Sequence, residues 1–100
     1  MSERQTGFLS EVKRIVLTGL KGHPAQVYLF GSRARGGAGR ASDIDVGVLA
    51  LKPLPVGLLA SIREELEESR IPYSVDLVDL SEVEPSFREF VQNEGVPWTL

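Results

Sequence analysis

Gly31-Ser32, ten intervening residues and then Asp43-Ile44-Asp45 bring together two requirements of phosphoryl-transfer chemistry. Backbone donors that can hold phosphate stand at one end of the segment, and paired carboxylates that can hold a divalent cation stand at the other. Gly31 lets the chain turn with no Cβ over its backbone, so a phosphate can approach closely. Ser32 adds a hydroxyl where a short helix could start, and the free N–H groups of such a start attract anions. Arg33, Arg35 and Arg40 place three fixed positive charges in the same stretch, suited to bidentate phosphate contacts. Asp43 and Asp45 are two apart, so in a strand they share a face with Cα atoms roughly 6–7 Å apart. Such a pair can grip one metal ion or two neighbouring ones. Magnesium suits that donor set, because it takes carboxylate and phosphate oxygens and keeps several waters. Without a cation the two charges repel, and a purely structural role gains nothing from the arrangement.

A Gly-Ser pair alone is commonly a turn, and an Asp-x-Asp alone is commonly solvated charge. The order strand, Gly-Ser, Asp-x-Asp, strand joins them into one site. Val27-Tyr28-Leu29-Phe30 leads into the turn, and Val46-Gly47-Val48-Leu49 continues from the aspartates; both runs are rich in β-branched or aromatic residues that suit buried strands.

The elements that must position this loop can be read on either side of it. Phe8, Val12, Ile15, Val16 and Leu20 follow helical spacing until Gly22 and Pro24. Strands are predicted near 26–30 and 43–50. After Pro53 and Pro55, the stripe Leu58, Leu59, Ile62 and Leu66 predicts a second helix, with Arg63, Glu64, Glu65, Glu67 and Glu68 on its solvated face. Pro72 precedes a third strand over 73–80. Ser81 with Glu84 predicts a capping box before a last helix carrying Phe87, Phe90 and Val91 and ending near Gly95. The whole reads as a single α/β domain over residues 1–100.

The string Gly31-Ser32-Arg33-Ala34-Arg35-Gly36 with Ser42-Asp43-Ile44-Asp45 resembles the nucleotidyltransferase signature of the DNA polymerase β superfamily, and looks most like its smallest members, the minimal nucleotidyltransferases. The resemblance covers nearly the whole chain. It implies a polymerase-β-like core, a small mixed β-sheet flanked by helices in the α+β manner. It implies that Gly31, Ser32, Arg33 and Ser42 hold a nucleotide while Asp43 and Asp45 bind Mg²⁺, with ATP as substrate. Many such proteins are antitoxins paired with a helical HEPN toxin, and are reported to transfer AMP from ATP to a tyrosine of that toxin. A HEPN-type toxin is therefore the expected partner. A catalytically weak antitoxin that acts by contact, and a small-molecule nucleotidyltransferase, are the competing expectations.

The family pattern includes a third carboxylate on a later strand. Tyr73-Ser74-Val75-Asp76-Leu77-Val78-Asp79-Leu80 offers two. Asp76 shares a face with Ser74 and Val78, Asp79 with Tyr73, Val75 and Leu77. The pattern favours Asp76 as the third catalytic and metal-binding residue, leaving Asp79 at the strand end to cap the following loop.

Composition narrows the class. One hundred residues with 42% hydrophobic and 25% charged side chains suit one globular domain. There are no cysteines, which excludes disulfides and thiolate metal sites. No apolar run is long enough to span a bilayer and the first residues lack the apolar core of a signal peptide, so a cytoplasmic protein is expected. A net charge of −3 argues against generic nucleic-acid binding. So short a chain leaves no residues for a second domain to enclose the acceptor, which is expected to arrive on another protein. Leu49–Leu59 and Val96–Leu100 are candidate partner surfaces, with Trp98 as the anchor. His23 and Tyr28 read as turn and strand residues.

Overall fold

The computed structural model describes residues 3–31 and 43–98. Helix α1 spans Glu3–Gly19 and leads through a turn into strand β1, Ala25–Phe30. Strand β2, Ile44–Ala50, helix α2, Leu58–Glu68, and strand β3, Val75–Asp79, follow in order. Helix α3, Pro85–Glu94, runs directly into a short strand β4, Val96–Trp98. The four strands form one mixed sheet in the order β3-β2-β1-β4. β1 is antiparallel to both β2 and β4, and β2 is parallel to β3.

Alternation along the strands builds two cores of unequal size. On one face Val27 and Leu29, with Ile44, Val46 and Val48, pack with Val12, Ile15 and Val16 of α1 and Ile62 and Leu66 of α2. Ile44, Val46 and Val48 are completely buried. The other face carries a smaller cluster of Tyr28, Phe30, Leu80 and Val91, beneath α3. Gly47 belongs to this second face: a Cβ there would press on the Leu80 side chain, 2.9 Å from its Cδ1. Glycine at 47 thus lets Leu80 seat directly on the sheet.

The strands and helices expected from the sequence are present, with two corrections at the C-terminal end. Glu84, not Ser81, is the residue that caps α3, and it makes no side-chain bond to the helix. Pro85, whose fixed φ suits the first helical position, sets the helix start there. Ser81 is already engaged, donating from its hydroxyl to Asp79 Oδ1 at 2.6 Å and from its backbone N–H to the same oxygen at 3.0 Å. Val96–Trp98 forms an edge strand, and the expected anchor within it is not exposed. Trp98 pairs with Val27 across β1 and is 8% exposed, sealing the larger core instead of standing free as an anchor. Three residues are too short a run for alternation to reveal, so β4 escaped the sequence pattern.

Candidate active site

The turn that ends β1 is shaped around a carboxylate. Gly31 has φ +79°, in the left-handed region that favours glycine. A Cβ at this position would overlap Asp45 Oδ2, so glycine provides both the turn and the room beside the acid. The strand register explains the approach. Phe30 is the direct partner of Asp45 across the antiparallel pair, and Asp45 is the direct partner of Asp76 across the parallel pair. Phe30, Asp45 and Asp76 therefore form a row over three neighbouring strands on one face of the sheet. This is the face of the smaller core, and the row lies at the end that receives the Gly31 turn.

Asp43 precedes β2 by one residue and is exposed; Asp76 is exposed, and Asp45 between them is partly buried. The backbone N–H of Ile44 donates to the Ser74 carbonyl at 2.9 Å, fastening the start of β2 to the approach to β3. Asp45 shows the electrostatic consequence. Burial first, and then the charges of Asp76 and Asp43, push its carboxyl above the usual carboxylate range. All three acids are thus electrostatic neighbours. Among the described residues, no three acidic or imidazole side chains converge as a ready-made metal cage. The donor chemistry still fits a hard divalent cation: oxygen ligands only, with a desolvated carboxylate whose like-charged neighbours a cation would relieve.

Asp79, the competing third acid, is four strand residues away from the row's end of β3 and accepts from Ser81. Ser32, Arg33 and Ser42, with Arg35 and Arg40, lie outside the described residues. His23 sits in the turn after α1, its N–H donating to the Leu20 carbonyl, and the buried Tyr28 donates from its hydroxyl to Gln26 Oε1.

A second feature borders the row. Phe87 meets Phe30 edge to face, with ring centroids 5.8 Å apart, and stacks with Phe90 at 6.3 Å. The last helix carries both of them with Val91 as the sequence predicts, and of the three only Val91 is buried, Phe87 and Phe90 being 38% and 41% exposed. A signal was present in the sequence: two phenylalanines three apart, beside Val91, make an apolar stripe wider than one short helix needs to cover a four-residue cluster.

The profile of the polymerase beta nucleotidyltransferase family matches residues 15–97. A probable protein adenylyltransferase, MntA, of Haemophilus influenzae is 35% identical over 66 residues, covering 66% of this chain and 58% of that relative. The matched part thus spans less than two thirds of that relative's length. A solved candidate minimal nucleotidyltransferase superposes with a TM-score of 0.71 at 32% identity, over 89% of this chain and 91% of its own. A toxin–antitoxin structure with AMP-PNP gives 0.67 at 29% identity, over 87% of this chain and 72% of that one. The tri-AMPylated HEPN toxin of Shewanella oneidensis in complex with MNT antitoxin gives 0.61 at 25% identity, over 90% and 71%. With a profile match across most of its length and a sheet that sets Asp45 between Asp43 and Asp76 beside the Gly31 turn, this chain belongs to the polymerase beta nucleotidyltransferase family.

Proposed function

We propose that this chain transfers AMP from ATP to a hydroxyl, a tyrosine, of a partner HEPN toxin and thereby acts as the antitoxin of the pair. The observation that carries the reading is the in-register placement of Asp45 beside Asp76, with Asp43 on the same side and Gly31 leaving room over Asp45. A structural sheet gains nothing from a carboxylate whose pKa is raised by burial first and then by two like-charged neighbours. Support for the substrate comes from relatives, one of which carries the name protein adenylyltransferase and another of which accompanies a tri-AMPylated toxin. Residues 1–100 would act as one domain.

In this mechanism Gly31, Ser32, Arg33 and Ser42 hold the triphosphate, and Asp43, Asp45 and Asp76 hold Mg²⁺. A divalent cation held by these carboxylates would supply charge neutralisation at the α-phosphate and at the departing pyrophosphate. Arg33, two residues after Gly31 in the sequence, would add a fixed positive charge for the phosphates. The acceptor oxygen forms a bond to the α-phosphorus as the bond to the β-phosphate oxygen breaks, releasing pyrophosphate. A tyrosine hydroxyl has a pKa near 10 when free, so its proton needs an acceptor at neutral pH. Asp76 would take that proton and complete the metal site, a role supported by its exposure and its position on the edge strand in register with Asp45.

The test is intact mass spectrometry of a helical HEPN-type protein, sought among the products of the neighbouring genes, after incubation with this chain, Mg²⁺ and ATP. Mass gains in units of AMP that disappear with Asp45→Ala are expected. A tight complex without any mass gain would replace transfer with inhibition by contact.

A further inference from the structure

We infer that the exposed Phe87–Phe90 pair on α3 is the platform on which the base of the nucleotide stacks. The inference rests on the nucleotidyltransferase reading and adds a binding surface to it. Its basis is continuity. Asp45, Phe30 and Phe87 follow one another without a break: Asp45 is the strand partner of Phe30, and Phe87 packs on Phe30 with ring centroids 5.8 Å apart and planes at 79°. Phe90 extends the surface, its ring within 27° of parallel to that of Phe87.

Sheet order decides the direction in which a nucleoside can lie. A triphosphate held at Gly31 and Asp45 stands over β1 and β2. On one side is β3, the edge strand, and beyond Asp76 the sheet has ended. On the other side are Phe30 and then Phe87 and Phe90 of α3, an aromatic cluster that is partly exposed. Among the described residues, that second side gives the base aromatic surface to exclude water against. The smaller core needs Val91, which is fully buried, whereas Phe87 and Phe90 are 38% and 41% exposed and leave aromatic surface to solvent beside the row of Phe30 and Asp45. Rings without hydrogen-bonding groups recognise a π-face and not a pattern of donors, so the platform would hold adenine and guanine alike.

The experiment compares the intact chain with Phe90→Ala, Phe90→Trp and Phe87→Leu for binding of Mg-ATP, Mg-GTP and tripolyphosphate, which lacks a base. Stacking on an aromatic side chain is worth about 1–3 kcal/mol per base, so Phe90→Ala should weaken both nucleotides roughly 5- to 150-fold. Tripolyphosphate affinity should stay unchanged, and Phe90→Trp should retain nucleotide binding. Phe87→Leu keeps an apolar group against Phe30 but removes the ring, and should also weaken both nucleotides while preserving the melting temperature. Unchanged ATP affinity in Phe90→Ala and Phe87→Leu overturns the platform and leaves the nucleotidyltransferase reading standing. Equal losses for ATP and tripolyphosphate also overturn it, since the effect then reaches the phosphates. Full ATP affinity with lost toxin binding would assign the two rings to the partner and overturn it too. If the unsubstituted chain binds tripolyphosphate and both nucleotides no better than a non-binding control, the nucleotidyltransferase reading itself falls.

Discussion

Phe30 and Asp45 face each other across the β1–β2 ladder, so the last apolar residue before the Gly31 turn and a partly buried carboxylate stand side by side on one face. One face of β2 is thereby divided by function. Gly47 sits against Leu80 and Leu49 packs on the smaller core, while Asp45 on the same face is only partly buried. The same strand's opposite face, Ile44, Val46 and Val48, is completely buried. Rigid packing on that side fixes the position of the acid on the other, which is what a catalytic carboxylate requires.

Asp45→Asn should silence transfer and stabilise the fold at neutral pH. Burial, then Asp76 and Asp43, hold the Asp45 carboxyl above the ordinary range, so the folded chain binds this proton more tightly than the unfolded chain does. Stability therefore falls as pH rises from the ordinary carboxylate range through the raised value, and the full penalty stands above it. Asn removes that penalty. In metal-free buffer its melting temperature should exceed that of the native chain at pH 7, with the gain vanishing in acid. Turnover should fall by roughly 100-fold or more, as for loss of one preorganised electrostatic group at a reacting phosphate. Mg²⁺ with ATP should raise the melting temperature of the native chain and not of the variant.

Gly31→Ala should destabilise the fold and abolish transfer together. Left-handed backbone costs a non-glycine residue roughly 1–2 kcal/mol, and the new methyl group would overlap Asp45 Oδ2. Urea unfolding of Gly31→Ala, Asp45→Ala and the double variant separates the two contributions. Truncating Asp45 should recover the overlap cost and leave the backbone cost, so the two substitutions should be non-additive. Strict additivity would mean that Gly31 serves the turn alone.

Trp98→Ala should cost about 3–5 kcal/mol by denaturant unfolding, the range for removing a buried aromatic side chain. Trp98 pairs with Val27 and is buried against the larger core. A surface anchor would instead give a variant of native stability that had lost only its partner.

The site's two ends were legible in the sequence because each rests on a local rule: alternation placed Asp43 and Asp45 on one side of a strand, and a glycine after an apolar run marked the turn. The relation between Asp45 and Asp76 is not local. It depends on the parallel register of two strands separated by α2, and no spacing within one segment reports that register. The C-terminal end was misread for the opposite reason, since local signals there were outweighed. Ser81 and Glu84 have the spacing of a capping box, but Asp79 takes the Ser81 hydroxyl and Pro85 fixes the helix start. Val96–Trp98 lacks the length for a strand signal and becomes one because β1 has an open edge to fill.

Asp76→Ala and Asp79→Ala distinguish the two acids of β3 by what each one loses. Asp76 is exposed and stands in register with Asp45, while Asp79 lies at the far end of the strand, where Oδ1 accepts from both the backbone and the hydroxyl of Ser81. Asp76→Ala removes a like charge from beside Asp45, so it should lower the Asp45 carboxyl toward the ordinary range and leave the fold at least as stable. Its cost should appear in kcat, because the acceptor hydroxyl loses the group that takes its proton. Asp79→Ala should do the reverse. It loses the bonds that turn the chain from β3 toward α3, at about 0.5–1.5 kcal/mol for each, and should keep kcat. Measuring kcat and the unfolding midpoint for both variants gives four values with opposite expected patterns. A fall in kcat for Asp79→Ala alone would move the third carboxylate to the other end of the strand and break the row on which the proposed mechanism stands.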